Sequence, residues 1–299
     1  MAELAPNHGT GPNIQIDDEV SSPWREAWRS FRKNKMAFVG AIIVLFFVCL
    51  ALLAPIITPD TMNKPVLAER LQAPSSEHWF GTDDFGRDIF YRVIYGARIS
   101  LWVGFFSVLG SVIVGSMLGI VAGYYGKWVD TIISRFFDIM LAFPSILLAI
   151  AIVAALGPSL QNALIAIAII NVPNFGRLIR SKVLSVKQEE YIMAARAIGM
   201  NDVRILFHHV LPNSMGPIIV QGTLAIATAI IEAAALGFLG LGAQPPTPEW
   251  GKMLADSRQF LIQAPWTMIF PGLAIMLTVL GFNLMGDGLR DALDPRMKN

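Results

Sequence analysis

Six apolar stretches, each close to the length of a bilayer-spanning helix, constrain this chain more than any other feature of its sequence. They cover 36–57, 100–123, 131–155, 160–176, 215–241 and 266–286. The fourth is short and is expected to break at Pro173. A helix that crosses a bilayer needs about 20 mostly apolar residues, because every backbone polar group must be satisfied within the segment. Only 15% of the residues are charged, against about 25% in ordinary soluble domains. We therefore predict an all-α membrane protein with six transmembrane helices.

The distribution of Lys and Arg predicts which side of the membrane each connection faces. If the N-terminus lies inside, fifteen of the 23 Lys and Arg residues fall in cytoplasmic segments and seven in outer segments. Cytoplasmic connections carry this kind of excess in membrane proteins. An even number of spans then places the C-terminus inside as well, so the predicted topology is N-in/C-in.

The spans divide the chain into five parts. We expect a disordered cytoplasmic tail at 1–22, an interfacial elbow helix and the first span at 23–57, an outer loop at 58–99, a core domain at 100–288 and a cytoplasmic tail at 289–299. Within the core domain, we expect a cytoplasmic loop at about 177–213 and an outer loop at about 242–265.

The elbow helix is predicted from a start signal and an aromatic face. Ser22 and Pro23 supply an N-cap and a first-turn residue, and Trp24, Trp28 and Phe31 then recur on one face of a helix. A basic flank whose aromatic residues belong to the membrane interface is an equal alternative, and it predicts the same topology.

Small residues recur at every fourth position of two spans. In the second span they are Ser107, Ser111, Gly115, Gly119 and Gly123, and in the fifth span they are Ala225, Ala229, Ala233 and Gly237. Helices in lipid gain little from hydrophobic association, so close approach through small side chains must supply contact. The pattern predicts tight helix packing but does not indicate the partner helices.

Three charged residues lie within predicted spans. Arg135 and Asp138 are three positions apart on one helix face, so an ion pair near the cytoplasmic end accounts for both. Glu232 has no charged residue in its own span, so we expect it to face the bundle interior, a water-filled path or a partner subunit. Glu232, with Asp138 as a second candidate, is therefore predicted to line or brace a translocation path.

A polar segment between the fourth and fifth spans is the most informative part of the sequence. Its core reads Ala194-Ala195-Arg196-Ala197-Ile198-Gly199, and nine residues later follows His209-Val210-Leu211-Pro212. Alanines permit close packing, Gly199 permits a bend, and Pro212 is expected to end a second short helix before the next span. We therefore predict a rigid cytoplasmic projection of two helices joined by a turn.

This segment resembles the EAA loop of ABC importer permeases, in which Glu-Ala-Ala is followed by three residues, Gly, nine residues and Ile-x-Leu-Pro. The spacing matches throughout, although Met193 stands at the glutamate position and His209 at the isoleucine position. In the family the loop forms the coupling helix, which sits in a groove of the ATP-binding subunit, so the resemblance places that element at 199–207. The ATPase-coupling residues that it implies are Ala194, Ala195, Arg196, Gly199, Asp202, Phe207, Leu211 and Pro212.

Three further blocks extend the resemblance over most of the chain. Residues 78–101, 234–254 and 283–296 are similar to the second permease of the peptide/nickel importer family, in particular its dipeptide and oligopeptide branch. The resemblance implies a type I ABC importer permease fold in the bacterial cytoplasmic membrane. It also implies three kinds of partner: a related permease that completes a heterodimer, two cytosolic ATPase subunits and an external substrate-binding protein.

The chain itself is not expected to be an enzyme or to hold a cofactor or metal. It contains no Gly-x4-Gly-Lys-Ser/Thr phosphate cradle, since the nearest candidate, 123–127, has the wrong spacing. ATP and Mg are therefore expected on the partner ATPase subunits. Asp83, Asp84 and Asp88 lack the ligand spacing of a calcium loop, and a hydrogen-bonded turn is the better interpretation.

Other functions remain open at the level of the sequence. The same family handles nickel and other small solutes, and nothing in the chain identifies the substrate. An ion-coupled secondary transporter would use Asp138 and Glu232 as a relay, but no internal repeat of the usual kind is present. An intramembrane enzyme would need a catalytic set at membrane depth, whereas all four histidines lie outside the spans.

Overall fold

The computed structural model describes residues 23–293, with side chains from Trp28 onward. The described residues form eleven α-helices: α1 (Pro23–Lys33), α2 (Lys35–Ile57), α3 (Ile89–Tyr125), α4 (Lys127–Leu141), α5 (Ser145–Leu156), α6 (Leu160–Val186), α7 (Glu190–Ala197), α8 (Asp202–Ile205), α9 (Leu211–Phe238), α10 (Trp250–Ser257) and α11 (Trp266–Leu293). The tail expected at 1–22 lies outside the described residues. Of the tail expected at 289–299, the first five residues belong to α11, and the rest lie outside the described residues.

Five helical segments are long and apolar enough to cross a membrane. They are α2, α3, α6, α11 and the segment that runs from Asp202 to Phe238, and the bent pair α4–α5 makes a sixth if it is counted as one span. The predicted all-α membrane architecture is confirmed, with five or six spans depending on that pair.

The third predicted span, 131–155, is not one straight helix. Helices α4 and α5 meet at 93° across a short break. Pro144 lies in this break and disfavours helical backbone at Phe143, the residue before it. The apolar pattern continues through the break, so hydropathy alone does not reveal it.

The fourth predicted span was expected to break at Pro173, and this expectation is wrong. Helix α6 continues through Pro173 to Val186, so the first ten residues of the loop expected at 177–213 are helical. A proline inside a helix removes one backbone hydrogen bond. The extensive packing of α6 against α3 outweighs that loss.

The small residues of α3 make this packing possible. The Ser111 hydroxyl donates to the carbonyl of Ala168 at 2.8 Å. A Cβ at Gly115 would lie 2.7 Å from the carbonyl oxygen of Val172, and one at Gly119 would run into the carbonyl oxygen of Gly176. The backbones of α3 and α6 therefore approach as closely as glycine allows, and α6 is the partner of the α3 pattern.

The alanines of α9 complete the core. Ala225, Ala229 and Ala233 are buried in one cluster with Val103 of α3 and Ile167 of α6. Three spans thus meet through small residues, as expected for helices that associate in lipid.

Both described ends of the chain lie together. Phe31 of α1 is buried in a cluster with Ala292 of α11, and the Asn34 amide donates to Asp291 at 3.4 Å. The segment between α6 and α9 lies at the same end of the bundle, which we call the loop end. The outer loops expected at 58–99 and 242–265 lie at the opposite end, where α10 packs against α9 and α11. The first of these loops is shorter than expected, since α3 begins at Ile89.

Candidate coupling loop and translocation cavity

The coupling segment is a bent projection built from α7 and α8. Helix α7 ends at Ala197, and Gly199 takes a left-handed φ of +82°. Asn201 then caps α8, because its side-chain oxygen accepts from the Val203 N–H at 3.0 Å. Glycine adopts a left-handed backbone without the steric penalty that other residues incur, so Gly199 fixes the bend.

Pro212 does not end the second helix, and the expected stop before the fifth span is wrong. The chain is helical without interruption from Asp202 to Phe238, through a π turn at Leu206–Val210. Pro212 lies in the first turn of α9, where its missing N–H does little harm. Helix α8 and the fifth span therefore belong to one continuous helical segment.

The loop has a buried side and an exposed apolar side. Ile192, Ala195 and Ile205 are buried, and the two isoleucines cluster with Ile179 and Val183 of α6. Four apolar residues of the loop are more than half exposed, namely Met193 (56%), Ile198 (80%), Val203 (57%) and Phe207 (64%). We call these four residues the apolar patch. Grouped exposed apolar side chains outside the bilayer mark protein interaction sites.

The residues that the sequence assigned to coupling divide between these two sides. Exposed are Ala194, Arg196, Gly199, Asp202, Phe207 and Pro212, whereas Ala195 is buried and Leu211 half-buried. Three members of the apolar patch, Met193, Ile198 and Val203, were not predicted. The sequence feature that could have identified them is the number of apolar residues in an otherwise polar segment.

Tyr124, at the end of α3, ties the loop to the bundle. Its hydroxyl hydrogen-bonds to the Asp202 carboxylate at the start of α8. The ammonium of Lys187 donates to the Tyr124 carbonyl at 2.7 Å, and the Arg196 guanidinium lies 5.5 Å from the centre of the Tyr124 ring. We call these contacts the Tyr124 tie. No sequence pattern predicted it, because it joins residues far apart in the chain.

An open cavity of about 340 Å³ lies between α6, α9 and the break that joins α4 to α5. Its polar lining residues are Ser145, Asn171, Asn174, Gln221, Thr228 and Glu232, and its apolar ones include Met140, Phe143 and Leu224. The Asn171 amide donates to the Glu232 carboxylate at 3.1 Å. Glu232 thus lines this open cavity, and its role in a translocation path stays a prediction.

Asp138, the second path candidate, does not line this cavity. Its carboxylate accepts from the guanidinium of Arg177 on α6 at 2.6 Å, whereas Arg135 on its own helix lies 3.8 Å away. The ion pair expected between Arg135 and Asp138 is therefore secondary to a pair that links α4 to α6. The structure does not bring Asp138 and Glu232 into one site.

The acidic turn at the opposite end is held by hydrogen bonds and ion pairs. One Asp83 oxygen accepts from the N–H groups of Phe85 and Arg87, each at 2.9 Å, and the other accepts from the Arg87 side chain at 2.7 Å. Asp88 caps α3 through the Phe90 N–H at 2.8 Å. Across residues 23–293, no cluster of three or more potential ligands is arranged to hold a metal ion.

Two family models match the chain. Residues 115–299 match the model described as the binding-protein-dependent transport system inner membrane component. Residues 22–74 match the model described as the N-terminal TM domain of oligopeptide transport permease C.

Curated relatives match the chain over almost its full length. The dipeptide transport system permease protein DppC of Alkalihalophilus pseudofirmus is 68% identical over 278 residues, which cover 93% of this chain and 91% of that protein. The glutathione transport system permease protein GsiD of Pectobacterium atrosepticum is 50% identical, with 95% of this chain and 94% of that protein covered.

A solved structure shares the fold. One chain from the inward-facing conformations of the MetNI methionine ABC transporter superposes with a TM-score of 0.54 at 19% identity, and the match covers 68% of this chain and 97% of that chain.

Proposed function

The chain belongs to the binding-protein-dependent inner membrane components of ABC importers, with an N-terminal region of the oligopeptide permease C type, and we propose that its substrates are dipeptides. As a member of this family it is a multi-pass permease of the inner membrane, and it is not an ATPase. The observation that carries the substrate class is the 68% identity to a dipeptide transport permease across 93% of the chain.

Binding-protein dependence implies an ATPase and a substrate-binding protein as partners. We further propose a complex in which this chain pairs with a second, related permease and two ATPase subunits, which bind ATP and Mg. The apolar patch of the loop supports an ATPase contact, since it exposes four apolar side chains at the end predicted to be cytoplasmic. ATP-driven closure of the two ATPase subunits moves α8, and α9 moves with it.

Glutathione is a second candidate substrate because the 50% identical relatives are named for its transport. Both substrates are short peptides with free termini, so one permease cavity can suit both. The binding protein then determines most of the substrate selectivity.

The test is uptake by the complete transporter in proteoliposomes. We expect a labelled dipeptide to accumulate inside the proteoliposomes only with ATP inside, on the side that holds the ATPase subunits, and only with the binding protein outside. Excess unlabelled dipeptide should compete. If glutathione or nickel competed and unlabelled dipeptides did not, the proposed substrate class would be wrong.

A further inference from the structure

We propose that Glu232 binds the α-ammonium group of the peptide during its passage through the bilayer, an inference that rests on the proposed function. The carboxylate belongs to the cavity between α6, α9 and the α4–α5 break. The proposal assigns this cavity as a peptide-binding site within the path.

The cavity is lined by groups that can hydrogen-bond to a peptide backbone. Five neutral polar side chains face the cavity with Glu232, and three of them are amides that both donate and accept hydrogen bonds. A peptide backbone presents the complementary N–H and C=O groups. The volume of about 340 Å³ falls in the range of small-molecule pockets, about 300–1,000 Å³.

The Glu232 carboxylate has few partners in the cavity. Its Oε2 accepts from Asn171, and among the described residues that line the cavity there is no Lys, Arg or His. The Asn171 amide is itself shared, since it also donates to the Ile167 carbonyl at 3.0 Å. Glu232 therefore has one neutral donor, and none of the described residues that line the cavity would compensate a negative charge on its carboxylate.

Pairing with a peptide ammonium would reduce the desolvation cost of the Glu232 carboxylate. A lone carboxylate within a membrane is costly, and ionisable residues there mark substrate or ion pathways. A peptide ammonium that leaves water meets the same penalty, and each charge offsets the desolvation of the other when they pair. The pairing needs only the peptide terminus, so it tolerates any side chain on the peptide.

The experiment measures protection of a cysteine in the cavity. Thr228 lies one helical turn from Glu232 on α9 and also lines the cavity, and Cys49, the one native cysteine, is replaced by Ser. The complete permease–ATPase complex carrying Cys49→Ser and Thr228→Cys is placed in nanodiscs without binding protein. Labelling by a charged methanethiosulfonate is then followed with a dipeptide or with its N-acetyl derivative.

We expect the dipeptide to slow labelling and the N-acetyl dipeptide to have roughly tenfold less effect, because a charged interaction is lost. Adding Glu232→Gln should remove the difference between the two peptides, and Glu232→Asp should restore part of it. A merely structural role for Glu232 would not distinguish a peptide from its acetylated form.

Three results would overturn the proposal. One is equal protection by both peptides, another is protection that survives Glu232→Gln, and the third is a Thr228→Cys site that no charged reagent reaches. ATP-dependent dipeptide uptake by the unmodified transporter is measured in parallel. If uptake is present and the protection pattern is absent, only the ammonium site fails. If uptake itself is absent, the proposed function fails.

Discussion

Asp84 is a half-buried carboxylate in the acidic turn at the end of the bundle opposite the coupling loop. Its neighbour Asp83 is engaged by two backbone N–H groups and by Arg87. Burial, followed by the nearby charge of Asp83, raises the pKa of Asp84 above its ordinary value, and Asp256 acts in the same direction, whereas Arg87 partly opposes them. The folded chain therefore holds a proton on Asp84 more readily than the unfolded chain does.

We predict that Asp84→Asn raises the thermal midpoint of the purified protein at neutral pH. The stability contributed by the protonated Asp84 is present below the unfolded pKa of about 3.9 and is lost as the pH rises through the folded pKa. The gain from Asn should therefore be largest at neutral pH and shrink as the pH falls towards 4. Thermal denaturation in detergent at several pH values measures it.

Asp60→Asn is the matched control, since Asp60 is exposed at the same end of the bundle. It should leave the midpoint nearly unchanged at every pH. A lower midpoint for Asp84→Asn at neutral pH would mean that the attraction of Arg87 outweighs burial and the neighbouring carboxylates.

The acidic turn also shows how much of its structure could be predicted from the sequence. The turn formers around Asp83 predicted a hydrogen-bonded turn, because Asp and Gly favour one wherever they occur together. The sequence could not predict that Asp83 is fully engaged while Asp84 is not. That difference depends on burial and on Asp256, which the fold brings near from a distant segment.

At the scale of secondary-structure elements, the contact between α3 and α6 depends on the absence of side chains. We predict that Gly119→Ala destabilises the protein by about 1–3 kcal/mol, the usual range for overpacking a core. The added Cβ would meet the backbone of Gly176, which cannot rotate away. The thermal midpoint of the variant should fall accordingly.

Gly110→Ala on the same helix is the control. Its Cβ would lie 3.4 Å from the Cβ of Ala168, an ordinary contact. Alanine also favours a helix over glycine by up to about 1 kcal/mol, so this variant should be neutral or slightly stabilised. An equal loss of stability in both variants would contradict the conclusion that Gly119 lies where α3 and α6 approach most closely.

The Tyr124 tie connects the coupling loop to α3 and predicts a defect in coupling. We expect Tyr124→Phe to retain ATP hydrolysis but to move a few-fold less dipeptide per ATP. The lost hydrogen bond to the Asp202 carboxylate belongs to a class worth about 1.5–3 kcal/mol. Uptake and hydrolysis measured in the same proteoliposomes give the ratio.

Tyr125→Phe is the matched control, because Tyr125 is adjacent and exposed. It should leave the ratio of uptake to hydrolysis unchanged. Asp202→Asn should resemble Tyr124→Phe, and the double variant should be no worse than either. Additive losses would show that the two residues act separately.

Elements were predicted well where a local pattern decides them and poorly where packing does. Hydropathy predicted the spans, and four-residue spacing predicted the small-residue face of α3. Both prolines that were expected to end helices, Pro173 and Pro212, lie within or at the start of helices. Pro144, which does mark a break, was not recognised, because proline alone does not say whether its neighbours compensate for the lost hydrogen bond.

For the whole molecule, the loop and the cavity are joined by one element. Helix α9 continues from α8 at the loop end and carries Thr228 and Glu232 at the cavity. One helical segment therefore links the loop to the lining of the cavity, with the π turn at Leu206–Val210 and Pro217 between them. The spacing around Gly199 predicted the loop, but the cavity could not be predicted, since its lining comes from several spans whose relative rotation depends on packing.

In the proposed mechanism, the membrane bundle is driven through the bend at Gly199. Gly199→Val places a β-branched residue at a φ of +82°, where it is strongly disfavoured. Gly157→Val imposes the same kind of strain at φ +95°, in the connection between α5 and α6 at the opposite end. Neither glycine has other atoms within 4 Å of an added Cβ, so the two variants differ mainly in location.

The most direct measurement is ATP-driven dipeptide uptake by complete transporters that carry one or the other variant. We predict that Gly199→Val abolishes uptake and weakens co-purification of the ATPase subunits, whereas Gly157→Val preserves both. Normal uptake by Gly199→Val, or uptake driven by an ion gradient with this chain reconstituted alone, would contradict the account.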